Sequence, residues 1–379
     1  MPTLGIDIET YSNVDLIKSG VYAYVDSPNF KVLLIAYSLD GGPVRLMDVS
    51  DYDTFDPEEF RRFTEMLIDP LIVKTAYNAN FERTCLAKFI DLPMPAEQWE
   101  CTMVLAANLG LPGSLEQVGA VLGLDRQKMS EGKALINYFS KPCKPTKSNN
   151  YRTRNLPGHD PAKWELFKRY CIRDVEVEQQ VRNRLIKYKP PKEEQRAWVL
   201  DQHINDRGIA VDPQLIMNAI RCDQIHNERL IAEATELTGL ENPNSVTQLK
   251  QWLEEAEGIE IESLSKKSVP DLIKNASSET TARVLEIRQE LAKTSVKKFE
   301  AMERTICSDG RIRGLLQFYG ANRTGRWAGR LVQVQNLPQN KIPDLAQARE
   351  LVRNGEFELL ELAYGSPAFV LSQLIRTAF

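Results

Sequence analysis

The chain opens with the stretch Thr3-Leu4-Gly5-Ile6-Asp7-Ile8-Glu9-Thr10, in which apolar residues alternate with glycine and acids. This period of two predicts a β-strand whose apolar residues face a core. Asp7 and Glu9 then point to the same face of the strand, about 7 Å apart along the backbone. Two carboxylates at that spacing are close enough to bind a shared cation. The strand is therefore a candidate metal-binding segment as well as the first element of a sheet.

Strand and helix patterns alternate as far as Leu185, which indicates an α/β fold. The predicted strands are Phe30–Leu39 and Val44–Met47, joined as a hairpin through Gly41-Gly42-Pro43, and Leu71–Ala76. The predicted helices are Pro57–Leu67, Phe81–Phe89, Thr102–Leu109, Ser114–Leu122 and Trp164–Leu185. The pair Pro190-Pro191 cannot continue a helix, so we predict that residues 1–188 form the first domain.

The second half of the chain has a different composition. Helices are predicted at Glu193–Asn205 and Pro213–Leu237, and one long helix with an apolar side at Thr280–Thr305. From Ser308 onward glycine, arginine and short apolar runs dominate, and Leu345–Phe379 is predicted to form two helices. These changes divide the remainder into a helical region, residues 192–307, and a further region, residues 308–379.

The composition is that of a globular protein, because 42% of the 379 residues are hydrophobic and 26% are charged. No apolar stretch of about 18 residues is present, so we expect no membrane helix and a cytoplasmic location. The six cysteines form no CxxC pair, and we predict that they are reduced and mostly buried. The net charge of −4 conceals two basic strips, at residues 141–154 and 311–330, and nucleic-acid-binding proteins usually carry such footprints.

Two further acidic fragments accompany the first strand. They are Asn78-Ala79-Asn80-Phe81-Glu82 and Tyr170-Cys171-Ile172-Arg173-Asp174. Tyr170 and Asp174 are four residues apart, so they are neighbours on one face of a predicted helix. Each fragment alone is also compatible with solvated surface acids. Together they indicate a cage of hard oxygen ligands for Mg²⁺ or Mn²⁺, and a pair of such ions is a standard device for hydrolysing a phosphodiester.

The three fragments resemble the motifs of the DEDD superfamily of 3′-to-5′ exonucleases, specifically the tyrosine subtype that proofreads for DNA polymerases. The resemblance implies a ribonuclease H-like (DnaQ-like) fold with a mixed central sheet and two bound Mg²⁺ or Mn²⁺ ions. It also implies a metal-binding and catalytic set in which Asp7 bridges both ions, Glu9 and Asp174 hold the ion that activates water, Glu82 serves the second ion, and Tyr170 orients the water. Glu82 departs from the family pattern, which has aspartate there; glutamate keeps the charge and reaches one methylene further.

The same resemblance implies that Thr10, Asn78 and Phe81 line a groove for single-stranded DNA. For Asn78 the alternative interpretation is a helix cap, and for Phe81 it is a core aromatic residue.

Later segments resemble family A (DNA polymerase I type) polymerases, in the variant form of phage or prophage enzymes. Ile204–Asp212 and Asn242–Leu249 look like the opening of the thumb, and Thr324-Gly325-Arg326 with Gln335-Asn336-Leu337-Pro338 looks like the first polymerase motif. The resemblance implies that nucleic acid is contacted by Thr324, Arg326, Gln335 and Asn336. Lys293, Ser295, Lys297 and Lys298 are candidate phosphate contacts, with a solvated helix face as the alternative.

The later catalytic motifs of that family do not occur in the sequence. We therefore expect that this chain does not polymerise by itself and is a truncated or split part of a longer polymerase, with residues 308–379 as the start of the palm. The expected activity is a two-metal 3′-to-5′ exodeoxyribonuclease that releases nucleoside monophosphates. Its expected partners are single-stranded 3′ ends and primer-template DNA, and the expected form is a monomer in bacterial or phage-infected cytosol. The alternatives are a DEDD exonuclease acting on RNA and a non-catalytic DNA-binding fragment with a degenerate metal site.

Overall fold

A computed structural model describes residues 1–51, 55–124, 131–293, 296–321 and 324–379. The chain divides into two compact units. The first contains Met1–Ile209 and Arg304–Gln335, and the second contains Ala210–Glu303 and Asn336–Phe379. The predicted functional regions, residues 1–188, 192–307 and 308–379, stay a prediction. The compact units are divided differently, because Arg304–Gln335 belongs to the same unit as the N-terminal segment.

The elements from the start of the chain to residue 210 are β1 (Thr3–Tyr11), α1 (Leu16–Asp26), β2 (Lys31–Leu39), β3 (Arg45–Asp48), α2 (Pro57–Ile68), β4 (Val73–Ala76), α3 (Ala79–Ile90), β5 (Trp99–Cys101), α4 (Thr102–Asn108), α5 (Leu115–Val121), α6 (Gly132–Phe139), α7 (Pro161–Leu185), α8 (Lys192–Arg207) and β6 (Ile209–Ala210). The later elements are α9 (Pro213–Thr238), α10 (Val246–Glu257), α11 (Val269–Lys274), α12 (Glu279–Leu291), α13 (Lys297–Thr305), β7 (Arg311–Ile312), β8 (Leu316–Ala321), β9 (Arg326–Gly329), α14 (Leu345–Asn354), α15 (Phe357–Tyr364) and α16 (Pro367–Leu374).

The first unit is built around a mixed sheet with the strand order β3-β2-β1-β4-β5. β1 is central and pairs antiparallel with β2 and parallel with β4. The apolar residues Leu4, Ile6 and Ile8 of β1 are buried, as their alternation predicts. The predicted α/β architecture with a mixed central sheet is therefore confirmed.

Most predicted elements of the first unit occur within a few residues of their predicted bounds, but the sequence patterns missed α1, β5 and α6. α1 has no continuous helical pattern because Gly20, near its middle, adopts a left-handed φ of 77° that kinks the helix. β5 is only three residues long. Each of these elements is too short or too interrupted to give a periodic signal.

The returning segment joins the first unit through a hairpin of β8 and β9. Two side chains of α8 fix this hairpin. Asn205 makes two hydrogen bonds with the backbone of Leu316, at 3.0 and 3.1 Å, and the indole N–H of Trp327 donates to Asp201 at 2.8 Å. A polar anchor on α8 therefore holds residues that are more than a hundred positions away in the chain.

The second unit is mainly helical, and two predictions about it are wrong. The single helix Thr280–Thr305 is not formed, because α12 ends at Leu291 and α13 begins at Lys297; Ser295 lies outside the described residues. Leu345–Phe379 forms three α-helices, because Gly355 and Gly365 interrupt it in the left-handed region, at φ values of 78° and 75°.

Five of the six cysteines are buried and all six have free thiols, in agreement with the prediction. Within the segments that the structure describes, no helix is long and apolar enough to cross a membrane.

Candidate active site

β1 carries the first two carboxylates. Its pairing with β4 covers Thr3, Leu4 and Gly5, so Asp7 and Glu9 lie beyond that paired stretch. A register shift against β2 falls directly after Glu9, and such irregularities often redirect side chains beside active sites. Asp7 is half-buried and Glu9 is 7% exposed. The local strand geometry thus places both acids on one side of the central strand, near its carboxyl end.

Glu82 lies in the first turn of α3, where the helix dipole favours a negative charge. The residue is only 6% exposed. Its Oε2 atom is buried and has no hydrogen-bond partner among the described residues. Burial raises the pKa of Glu82 well above its usual value, and the nearby carboxylates of Asp7, Glu178 and Asp174 raise it further. Glu82 therefore belongs to a cluster of acids whose negative charges repel one another.

Tyr170 and Asp174 lie one turn apart on α7, which packs against β1 and β2. Tyr170 is 1% exposed, and its ring stacks on Phe167 with a centroid distance of 6.2 Å. Burial raises the pKa of Tyr170 far above its usual value, and the charges of Asp174 and Glu9 add to the effect. The phenol therefore keeps its proton and remains a hydrogen-bond donor.

Gly132, at the start of α6, fixes the other side of the Tyr170 ring. A Cβ atom at Gly132 would lie 2.0 Å from Cε2 of Tyr170 and 2.7 Å from its Cζ. Only a glycine allows the helix to approach the ring this closely. The position of the Tyr170 ring, and with it that of the hydroxyl group, is consequently restricted by both Phe167 and Gly132.

These side chains surround one cavity of about 560 Å³. Eight of the residues singled out in the sequence line it: Asp7, Glu9, Thr10, Asn78, Phe81, Glu82, Tyr170 and Asp174. The structure therefore brings together the predicted metal ligands, the tyrosine and the predicted single-strand contacts, although they are spread over more than 160 positions in the chain.

The two alternatives for Asn78 and Phe81 can be compared with their surroundings. The Asn78 side chain makes no capping hydrogen bond to α3 and is exposed at the cavity. Phe81 is half-buried; it packs against the hydrophobic core and also lines the cavity, with its ring centroid 6.3 Å from that of Tyr24. Phe81 therefore is a core aromatic residue that also lines the cavity, and its contact with single-stranded DNA stays a prediction.

The other predicted nucleic-acid contacts lie elsewhere. Thr324 and Arg326 are exposed in the β8–β9 hairpin, and the exposed Gln335 packs its amide against Gly329. Asn336 is exposed at the start of the second segment of the other unit. None of these four is among the described residues that line the cavity.

The candidate phosphate contacts do not lie on one helix, because Lys293 follows α12 whereas Lys297 and Lys298 begin α13. Lys293 forms an ion pair with Glu290 at 2.6 Å. Burial lowers the pKa of Lys298.

Several lining residues were not predicted. Tyr24 and the exposed apolar pair Leu16 and Ile17 come from α1, and Ser140 and Lys141 follow α6. The hydroxyl groups of Tyr24 and Thr10 are 2.9 Å apart. Asp15 caps α1 by accepting hydrogen bonds from two backbone N–H groups. Aspartate is a preferred N-cap residue, so Asp15 is a sequence signal from which the start of this helix could have been predicted.

The donor set can be compared with the requirements of a divalent ion. Asp7, Glu9, Glu82 and Asp174 offer hard oxygen atoms, which Mg²⁺ and Mn²⁺ prefer, and the buried Oε2 of Glu82 lacks a hydrogen-bond partner among the described residues. The residue types therefore fit these ions. As the side chains stand, no group of three or more His, Cys, Asp or Glu residues in the described part of the chain is positioned to hold a metal.

The fold is similar to that of a nucleic-acid enzyme. The polymerase domain of Pol1 from M. smegmatis, solved with a DNA primer-template and dNTP, matches 92% of this chain with a TM-score of 0.53 and 16% sequence identity. The match covers 54% of that chain. At this identity the similarity concerns the fold alone.

A much more similar sequence belongs to a phage protein. A DNA polymerase of Bacillus phage SP02 is 58% identical over 379 residues, which is the whole of this chain. The chain spans 58% of the length of that relative. No protein-family model matches the chain.

Proposed function

We propose that the cavity is the active site of a 3′-to-5′ exodeoxyribonuclease that belongs to a DNA polymerase of family A. The observation that carries the proposal is the convergence of Asp7, Glu9, Glu82, Asp174 and Tyr170 on one cavity. These residues come from the three fragments that resemble the tyrosine subtype of DEDD exonucleases. The ribonuclease H-like classification of the mixed sheet is part of the same proposal.

DNA polymerases generally use divalent metal ions, and the four carboxylates would hold Mg²⁺ or Mn²⁺ here. When bound, such ions supply an activated water and stabilise the leaving oxygen of a phosphodiester. The chain itself supplies the remaining requirements. The protonated Tyr170 hydroxyl donates a hydrogen bond that orients the attacking water, and the rigid packing of its ring keeps that donor in position.

The walls of the cavity suit the end of a DNA strand. Phe81 is half-buried and offers part of an aromatic ring, and Leu16 and Ile17 offer exposed apolar surface. Base stacking on such side chains is tolerant of sequence, as a proofreading site requires. We assign the terminal bases of a frayed 3′ strand to this surface.

The relatives support DNA as the substrate. The phage SP02 relative is named a DNA polymerase, and the M. smegmatis structure contains a primer-template. We therefore propose that this chain is part of a DNA-directed DNA polymerase and that Thr324, Arg326, Gln335 and Asn336 contact primer-template duplex. Arg326 is exposed and can donate to the minor-groove acceptors that all base pairs share.

Cleavage of labelled oligonucleotides tests the nuclease. The wild-type chain should shorten single-stranded DNA stepwise from the 3′ end with Mg²⁺ or Mn²⁺, and EDTA should stop the reaction. Asp7→Asn should abolish the activity, whereas Glu116→Gln, which changes an exposed acid of α5, should retain it. Full activity of Asp7→Asn would refute the assignment.

Two comparisons separate the alternatives. Faster cleavage of a matched RNA strand would favour an RNA-acting exonuclease. Binding of DNA without cleavage under every metal condition would favour a non-catalytic binding fragment.

A further inference from the structure

One wall of the cavity has no role in the proposed chemistry. It is formed by Ser140, Lys141 and Pro142, which directly follow α6. The wall brings a hydroxyl group and an ammonium group to the cavity. The other charged lining residues that the structure describes are all acids, namely Asp7, Glu9, Asp15, Glu82 and Asp174.

The buried hydroxyl group of Ser140 lacks a hydrogen-bond partner among the described residues. Ser140 is only 8% exposed, and its Oγ atom is buried without a hydrogen-bond partner among the described residues. A buried polar atom without a partner is costly, so such atoms in a cavity often mark the place of a ligand.

The position of Ser140 is fixed by its surroundings. Its backbone N–H donates to the carbonyl of Ile136 at 2.9 Å and closes α6. The preceding residue, Phe139, stacks on Phe167 with a centroid distance of 5.4 Å. Because Phe167 also stacks on Tyr170, the aromatic row that orients the tyrosine also orients the wall.

Lys141 supplies the positive charge. Its side chain is exposed at the cavity, and no ion pair joins it to another residue that the structure describes. The following Pro142 restricts the backbone of Lys141 to extended conformations. The ammonium group is therefore available to an anion that enters from solvent.

We propose that Ser140 and Lys141 bind non-bridging phosphate oxygens of the DNA strand end in this cavity. The proposal rests on the proposed nuclease function for the choice of DNA as the ligand. A phosphodiester that approaches a cluster of carboxylates is repelled by them, and a hydroxyl donor beside a cation offsets that repulsion at the phosphate itself. The pair positions the strand and takes no proton in the reaction.

Four variants test the pair. Lys141→Gln removes the charge, Lys141→Arg keeps it, and Ser140→Ala removes the hydroxyl. Lys144→Gln is the matched control, because Lys144 is exposed in the same basic strip but is not among the described residues that line the cavity. Thermal unfolding of each variant establishes that the fold is intact.

Two measurements are needed. The first is the affinity for a fluorescent single strand in EDTA, where no cleavage occurs, at several salt concentrations. The second is kcat and KM for cleavage of the same strand with Mg²⁺. Lys141→Gln and Ser140→Ala should each weaken binding and raise KM by about tenfold, the effect of one hydrogen bond to a charged group, with kcat within about threefold of wild type. Lys141→Gln should also reduce the salt slope by about one unit, and Lys141→Arg should restore it.

The outcomes distinguish this proposal from the nuclease itself. If the wild-type chain cleaves DNA and Lys141→Gln behaves like Lys144→Gln, the phosphate-binding pair is refuted and the nuclease stands. If the wild-type chain binds the strand without cleaving it, and Lys141→Gln weakens that binding, the nuclease is refuted and the pair stands. A wild-type chain that neither binds nor cleaves a single strand refutes both.

Discussion

Replacing Gly132 with alanine tests whether Tyr170 acts through the placement of its hydroxyl group. The new Cβ atom would lie 2.0 Å from Cε2 of the ring, whereas two carbon atoms in contact need about 3.5 Å. The ring or the start of α6 must therefore move by roughly 1.5 Å. The ring has little freedom to yield, because it stacks on Phe167.

This displacement sets the expected magnitude. A shift of about 1 Å in a positioning group can cost roughly 100-fold in rate, so Gly132→Ala should lower kcat on single-stranded DNA by about two orders of magnitude. Overpacking should also lower the free energy of unfolding by about 1–3 kcal/mol. Gly119→Ala is the matched control, because its Cβ would meet Leu124 and Val177 at ordinary distances of 3.6 and 3.7 Å.

A double-mutant cycle gives the decisive comparison. If Gly132→Ala acts through the Tyr170 hydroxyl, it should cost much less in a Tyr170→Phe background, because the hydroxyl is already absent. Steady-state cleavage rates of the four proteins and their thermal midpoints provide the data. Additive losses in kcat, or a Gly132→Ala protein with wild-type kcat and wild-type stability, would refute the reasoning.

Three other predictions follow from single contacts. Tyr170→Phe alone should lower kcat by about 100-fold, at least as much as misplacing its hydroxyl group, and leave the thermal midpoint nearly unchanged; an unchanged rate would exclude the hydroxyl from the reaction. Burial raises the pKa of Asp201 to about 6, above its unfolded value of about 3.9, so the folded state binds this proton more tightly and stability falls as pH rises from about 4 to about 6. Measured by urea unfolding, the change in the free energy of unfolding from pH 4 to pH 7 should therefore be more positive for Asp201→Asn than for the wild type, and equal changes would contradict the assignment. Gly208→Ala should lower the free energy of unfolding by about 2–4 kcal/mol, because Gly208 has φ of 60° and its Cβ would lie 2.4 Å from the carbonyl oxygen of Ile312. Gly41→Ala, at φ of 70° with nothing within 4 Å, should cost only the conformational strain of about 1 kcal/mol, and equal losses for the two variants would count against the contact.

The part of the site that the sequence predicts is the part with a fixed period. Asp7 and Glu9 share a face because a strand repeats every two residues, and Tyr170 and Asp174 share a face because a helix nearly repeats every four. Both pairs line the cavity. Periodicity alone could not predict that these faces meet, because that depends on how α7 packs against the sheet; the expectation that they meet came from the resemblance to DEDD exonucleases.

The part that was missed has no period. Ser140 and Lys141 form the wall through a turn after a short helix, and only the composition of the basic strip hinted at Lys141. Gly132 contacts Tyr170 from 38 positions upstream, and a lone glycine carries no sequence signal of what it touches. Its role depends on a distance that only the folded chain defines.

The hairpin anchor on α8 has a consequence for how the chain acquires its structure. Asn205 and Asp201 are synthesised before the second unit's Ala210–Glu303, and their partners Leu316 and Trp327 are synthesised after it. About a hundred residues intervene. At a synthesis rate of roughly 5–20 residues per second, the polar groups of α8 therefore lack their hydrogen-bond partners for about 5–20 s. During that interval the N-terminal segment lacks part of its final surface. Its exposure to proteases and chaperones should therefore depend on translation speed through a region whose described residues do not line the cavity.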